Sequence, residues 1–120
     1  MVIEPPACLT VHADGPVTHI AFCTAELTDD LLIEQIGQYL HQLAVEHPNG
    51  KVVLDFTGLT RCISRMFGVL AAFHHQAAKA GIQLRLCALD ASLLEALKIT
   101  RLDSRFRITP DYAQAVASLR

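Results

Sequence analysis

Residues 51–81, KVVLDFTGLTRCISRMFGVLAAFHHQAAKAG, constrain the fold more than any other stretch. Val52, Val53, Leu54, Asp55 and Phe56 make a short apolar and β-branched run, too short for a helix and too unbroken for a strand with one wet face. Such a run fits a central strand covered on both sides. Gly58 takes backbone angles closed to other residues, so the chain turns out of the sheet between Thr57 and Thr60. Ser64 stands where a helix begins. Met66, Val69, Leu70, Phe73 and Ala77 recur at helical spacing, His74, Gln76 and Lys79 hold the wet side, and Gly81 supplies a left-handed stop. A strand, a sharp turn and a helix start thus follow one another, and any function is to be sought at the turn.

The flanking sequence supplies partners for this unit. Residues 8–13 and 17–24 alternate around Asp14-Gly15, which predicts a hairpin with Pro16 just past the turn. Thr28 is placed to cap a first helix whose opening turn holds Asp29 and Asp30, with Leu32, Ile36, Tyr39, Leu40 and Leu43 as its buried stripe. Gly37 weakens that helix and allows close approach to the sheet. His47-Pro48-Asn49-Gly50 ends it. Residues 82–88 read as another strand, Asp90 as the cap of a helix with Leu93, Leu94 and Leu97, and residues 106–108 as a last edge strand. Thr109 as cap and Pro110 at the first helical position then open a helix over 111–119. Strands alternating with helical patterns predict a largely parallel sheet with helices against it.

Composition narrows the function. A chain of 120 residues is one domain, and 52% apolar residues with no tryptophan suit an α/β core of Leu, Ile, Val and Ala while excluding disorder. Ten basic against twelve acidic residues, with no basic run, remove the usual electrostatic drive for nucleic acid. The start, MVIEPPACL, carries no signal-peptide pattern, and no apolar stretch is long enough to span a bilayer, so a cytoplasmic protein is expected. Cys8, Cys23, Cys62 and Cys87 form no C-x-x-C pair and read as reduced thiols. Six histidines show no metal-ligand spacing, His74 and His75 pointing about 100° apart on a helix. Neither a Gly-rich phosphate loop nor a nucleophile elbow is present, so no enzyme and no cofactor is expected.

The segment LDFTGLTRCISRMFGVLAAFHHQAAKAGIQLRLC resembles the centre of the STAS domain, the fold of bacterial anti-sigma-factor antagonists. The matching positions are Asp55, Thr57-Gly58, Thr60, Ser64 and Gly68, with Ala80-Gly81 closing the helix. EALKITRLDSRFRITPDYAQAVASL is similar to the family's last third, so the likeness covers nearly the whole chain. It implies an α/β, STAS-like single domain over residues 1–120 with a flexible tail at 1–7. Its sheet would be mixed and mostly parallel, of about five strands with about four helices packed against it.

The resemblance also implies a role. In the family, a serine at the position of Ser64 is phosphorylated by a serine kinase of the histidine-kinase-like ATPase fold, which is also the anti-sigma factor, and phosphorylation ends the antagonist's binding. Phosphate at a helix N-terminus meets free N–H groups and the positive end of the dipole, while the same charge disrupts a partner packed there. Serine is equally among the best helix caps, so the residue has a purely structural reading too. This chain departs from the pattern: Ile63 replaces the Asp before the serine, and Arg65, Met66 and Phe67 replace Ser-Gly-Leu.

Those departures define the expected partner-binding surface. Ile63, Met66 and Phe67 either make an apolar patch beside Arg61 and Arg65 or, for Met66 and Phe67, turn inward as core. Thr57, Gly58 and Thr60 complete the surface, the two threonines chiefly as turn formers, and Asp55 is expected to hold loop amides. A partner-switching antagonist is the first reading. An accessory STAS subunit of a membrane lipid-transport ATPase, which needs no phosphoserine, is the second, and a nucleotide-binding or scaffold STAS domain the third. Insertion into a membrane is not expected, and a homodimer is left open.

Overall fold

In the computed structural model, which describes residues 4–119, the strand that carries the apolar run Val52 to Leu54 lies at the centre of a five-stranded sheet. Strands β1 (Leu9–Asp14) and β2 (Val17–Phe22) form the antiparallel hairpin, with Gly15 at φ 59 in its turn. β4 (Lys51–Asp55) pairs in parallel with β2 on one side and with β6 (Gln83–Cys87) on the other, and β7 (Arg107–Thr109) closes the order β1-β2-β4-β6-β7. Between these strands run β3 (Glu26–Leu27), α1 (Asp30–Glu46), β5 (Arg61–Cys62), α2 (Ser64–Ala80), α3 (Ala91–Ile99) and α4 (Tyr112–Ala117). The result is four helices on a mixed, mostly parallel sheet.

The period of two along β4 and β6 divides the core. Val52, Leu54, Leu84 and Leu86 join Ile36, Leu40, Leu70 and Phe73 of α1 and α2, with Leu93 and Leu97 of α3, in the larger cluster. Val53 and Cys87 face the other way and meet Val17 and Ala115, the buried residue of α4. Both faces of β4 are therefore dry, as its composition predicts.

The structure corrects several local expectations. Asp29, not Thr28, caps α1: its Oδ1 accepts from the amides of Leu31 (2.9 Å) and Leu32 (3.2 Å). Starting one residue later puts Ile33 in the stripe, leaves Leu32 half-buried and turns Leu31 outward at 63% exposure. Gly37 faces helix α2, where an added Cβ would lie 3.4 Å from Val69 Cγ2, so the close approach is between helices rather than to the sheet. Asp111 replaces Thr109 as the cap of α4, accepting from the Gln114 amide at 2.8 Å, which leaves Pro110 ahead of the cap. His74 is half-buried, edge-on to Phe106 with ring centroids 5.1 Å apart, rather than on the wet side. Of the tail expected at 1–7, residues 1–3 lie outside those described. The Pro6 and Ala7 carbonyls accept from the Leu9 amide (2.9 Å) and the Cys23 thiol (3.2 Å).

Candidate functional site

The turn leaving β4 is held by one carboxylate. Asp55 is 8% exposed, and its Oδ1 accepts from both the Thr57 amide (3.0 Å) and the Thr57 hydroxyl (2.6 Å). Its Oδ2 accepts from His19 Nε2 of β2 at 2.8 Å. Burial pushes the Asp55 carboxyl up, but the Thr57 hydroxyl and amide and His19 together outweigh it and hold the group below its ordinary value. Asp55 thus holds the loop as an ionised acceptor, and it anchors the Thr57 hydroxyl as well as its amide. The imidazole of His19 is itself fixed, stacked on Tyr112 with centroids 3.8 Å apart, while the Tyr112 hydroxyl donates to Asp14 Oδ2 at 2.8 Å. Burial and the nearby Asp55 carboxylate push the Cys87 thiol up to about 12, so it stays protonated and is no nucleophile at neutral pH.

Beyond Asp55 the loop is pinned from further sides. Phe56 is buried against Phe22, centroids 4.8 Å apart, and the Leu59 amide donates to the Phe56 carbonyl across Gly58, at φ 87. Leu59 is fully buried. Amides of Thr60 and Arg61 donate to the Ala25 carbonyl (2.9 and 3.2 Å), and that of Ile63 donates to the Leu27 carbonyl (3.0 Å), so β5 runs parallel to β3. The Ser92 hydroxyl at the start of α3 donates to the Thr60 carbonyl.

This frame sorts the predicted partner-binding residues. Thr57, Gly58, Thr60, Arg61, Ser64 and Arg65 are exposed and Ile63 is half-buried, with buried Leu59 and half-buried Cys62 between them. Met66 is 0% exposed and Phe67 is buried beside it, so neither offers a side chain to a partner and the apolar patch does not form. The helical phase decides this: once α2 starts at Ser64, its third and fourth residues fall on the stripe that faces the sheet. Ser64 is also not the cap. Ile63 occupies that position with no side-chain hydrogen bond, and Ser64 is the first helical residue. The start of α2 therefore keeps its leading amides without a side-chain acceptor.

Sequence reasoning missed two neighbours of the site. Arg65 Nη1 reaches Asp30 Oδ1 at 3.6 Å, which sets the first turn of α1, with exposed Leu31, beside the first turn of α2. His19 reaches Asp55 from 36 residues away. The pairing of β3 with β5 was equally hidden, since two residues are too few for a periodic pattern. All four cysteines are free, and among the described residues no three His, Cys, Asp or Glu converge to hold a metal. No helix among them is long and apolar enough to cross a membrane.

A consequence for stability follows from the cap geometry. Ser64→Ala is expected to change unfolding free energy by less than about 0.5 kcal/mol, because its hydroxyl caps nothing, whereas Asp29→Ala loses about 1 kcal/mol. Urea unfolding followed by circular dichroism measures both.

Comparison with known proteins decides the family. The family model of the STAS domain matches residues 1–115. The chain belongs to the STAS domain family. A search of curated protein sequences gave no match. Solved structures share the STAS fold at low identity. An anti-sigma-factor antagonist (STAS) domain protein from Planctomyces limnophilus superposes with a TM-score of 0.82 at 19% identity, covering 92% of this chain and 96% of its own. A putative anti-sigma factor antagonist from Thermotoga maritima gives 0.84 at 15% identity, covering 95% and 96%. The Bacillus cell fate determinant SpoIIAA in its phosphorylated form gives 0.72 at 12% identity, covering 93% and 99%.

Proposed function

We propose that this STAS domain acts by binding, as an anti-sigma-factor antagonist or related partner-switching protein in the cytoplasm. Its docking face is Thr57, Gly58, Thr60 and Arg61 together with Ile63, Ser64 and Arg65, and its partner is an anti-sigma factor that is a serine kinase of the histidine-kinase-like ATPase fold. The observation that carries this reading is Ser64: exposed, its hydroxyl without a hydrogen bond among the described residues, and standing on a helix start that lacks a side-chain cap. A phosphate there accepts from the leading amides and lies near the Arg61 and Arg65 guanidinium groups, while its charge of about −1.5 to −2 breaks a face packed on Ser64. The domain tolerates the modification and the interface rejects it. SpoIIAA, described as an anti-sigma factor antagonist and solved in unphosphorylated and phosphorylated forms, shares the fold and gives the proposal its precedent.

The test is incubation with a candidate anti-sigma kinase and ATP, with phosphate located by mass spectrometry. Phosphate on Ser64, none in Ser64→Ala, and a complex weakened about tenfold or more by Ser64→Asp are expected. No phosphate and no complex sink the proposal. Ile63, in place of an acidic residue before the serine, favours a second reading in which the same face docks on a transport ATPase without modification. A stable complex with such an ATPase, indifferent to Ser64→Ala, selects that reading.

A further inference from the structure

The sheet's last strand starts late. Arg107, the first residue of β7, pairs with Arg85, so Gln83 and Leu84 at the start of β6 run on beyond it. Amides along β6 alternate sides: that of Gln83 donates to the Gly50 carbonyl on the β4 side (2.9 Å), and that of Ala88 donates to the Thr109 carbonyl on the β7 side (3.3 Å). The Leu84 amide therefore faces the β7 side at a point where the ladder has not begun.

A cleft of about 430 Å³ lies there, within the range of small-ligand sites. His74 of α2, Ile82, Leu84 and the run Arg105, Phe106, Arg107 line it. Phe106 is buried and held edge-on by His74, which makes a fixed apolar floor. No Asp or Glu lines the cleft, and neither Arg105 nor Arg107, both exposed, forms an ion pair among the described residues. The guanidinium of Arg85 is committed elsewhere, donating to the Ser118 hydroxyl (2.8 Å) and carbonyl (3.1 Å) beyond α4.

Charge is concentrated here against the trend of the chain. The protein carries −2 overall, yet the charged side chains that line the cleft among the described residues are Arg85, Arg105 and Arg107, all basic. Cations gathered around a concave, partly apolar wall raise the local potential, and an anion entering the cleft relieves their mutual repulsion. Guanidinium groups match carboxylate and phosphate oxygens in a two-pronged geometry.

We propose that this cleft binds a small organic anion, a carboxylate or phosphate head held by Arg105, Arg107 and the Leu84 amide, with an apolar body against Ile82 and Phe106. The cleft lies at the end of the sheet opposite Asp55 and Ser64, since α2 runs back from Ser64 to the start of β6, and it does not depend on the docking proposal. Titration of ¹⁵N-labelled protein tests it, with octanoate and octyl phosphate as probes and octylammonium as the cation with the same tail.

One or both anions are expected to shift the amides of Leu84, Phe106 and Arg107 and to saturate at about 1 mM or below, the better of the two naming the head group. Octylammonium should leave these amides unmoved. Because both arginines are exposed, the double variant Arg105→Ala, Arg107→Ala should keep its spectrum elsewhere and bind the anion about tenfold more weakly. The absence of saturable shifts with either anion overturns the proposal, as do equal shifts with octylammonium or an affinity indifferent to the double variant.

Discussion

Phe56→Ala will cost the domain about 3–5 kcal/mol of stability, seen as a lower urea midpoint with little change in slope. The ring is 2% exposed, tilted against Phe22, and sits where β4 leaves the sheet. Its own backbone is bonded on both sides, its amide donating to the Cys87 carbonyl and its carbonyl accepting from the Leu59 amide, both at 3.0 Å. Such pinned surroundings collapse poorly into the space a phenyl ring vacates, which places the cost toward the upper part of the range. For a domain with about 5–15 kcal/mol in total, a loss of this size leaves a small margin. A loss below about 1 kcal/mol would mean that the ring does not anchor the turn.

Asp55→Ala is the second large effect, expected at about 2–4 kcal/mol near neutral pH. The variant strands the Thr57 amide, the Thr57 hydroxyl and His19 Nε2, three donors that now converge on one buried carboxylate. Its pH dependence has a definite sign. The folded protein holds this carboxyl below its unfolded value, so the associated stability is fully present above the unfolded pKa and is lost as pH falls through the folded one. Unfolding free energies of wild type and variant should keep a constant gap from neutral pH down to about pH 5 and draw closer as pH falls below about 4. A gap that stays constant down to about pH 2 would show that the ionised carboxylate contributes nothing to the fold.

Much of this architecture is legible in the sequence, for reasons that lie in particular residues. Val52 to Leu54 announce a central strand because a run without polar residues has no wet face to offer. Asp14-Gly15 announces the hairpin, Gly58 the turn and Gly81 the helix stop, because each needs a backbone angle that few residues supply, and all three glycines have positive φ. The tie from Asp55 to Thr57 is short-range and so also legible. What stays hidden is set by distant parts of the chain. Thr28 and Asp29 are adjacent and both suited to capping, and the choice falls to the position that buries Ile33. The same phase argument turns Met66 and Phe67 inward, although their types alone fit an exposed docking patch as well. His19 and Tyr112 come to Asp55 from opposite ends of the chain, and no local pattern connects them.

The pairing of β5 with β3 bears on how a bound partner is felt by the rest of the molecule. Thr60 bonds to Ala25 through both its amide and its hydroxyl, a link across 35 residues, and Arg61 and Ile63 extend it to Leu27, just ahead of Asp29. The loop and the entry to α1 thus behave as two leaves of a single clasp. Whatever pulls on one leaf tugs the other, and through it the segment joining the hairpin to the first helix, so mechanical load at the rim is handed to β2 and, by way of the buried Leu27, to the core.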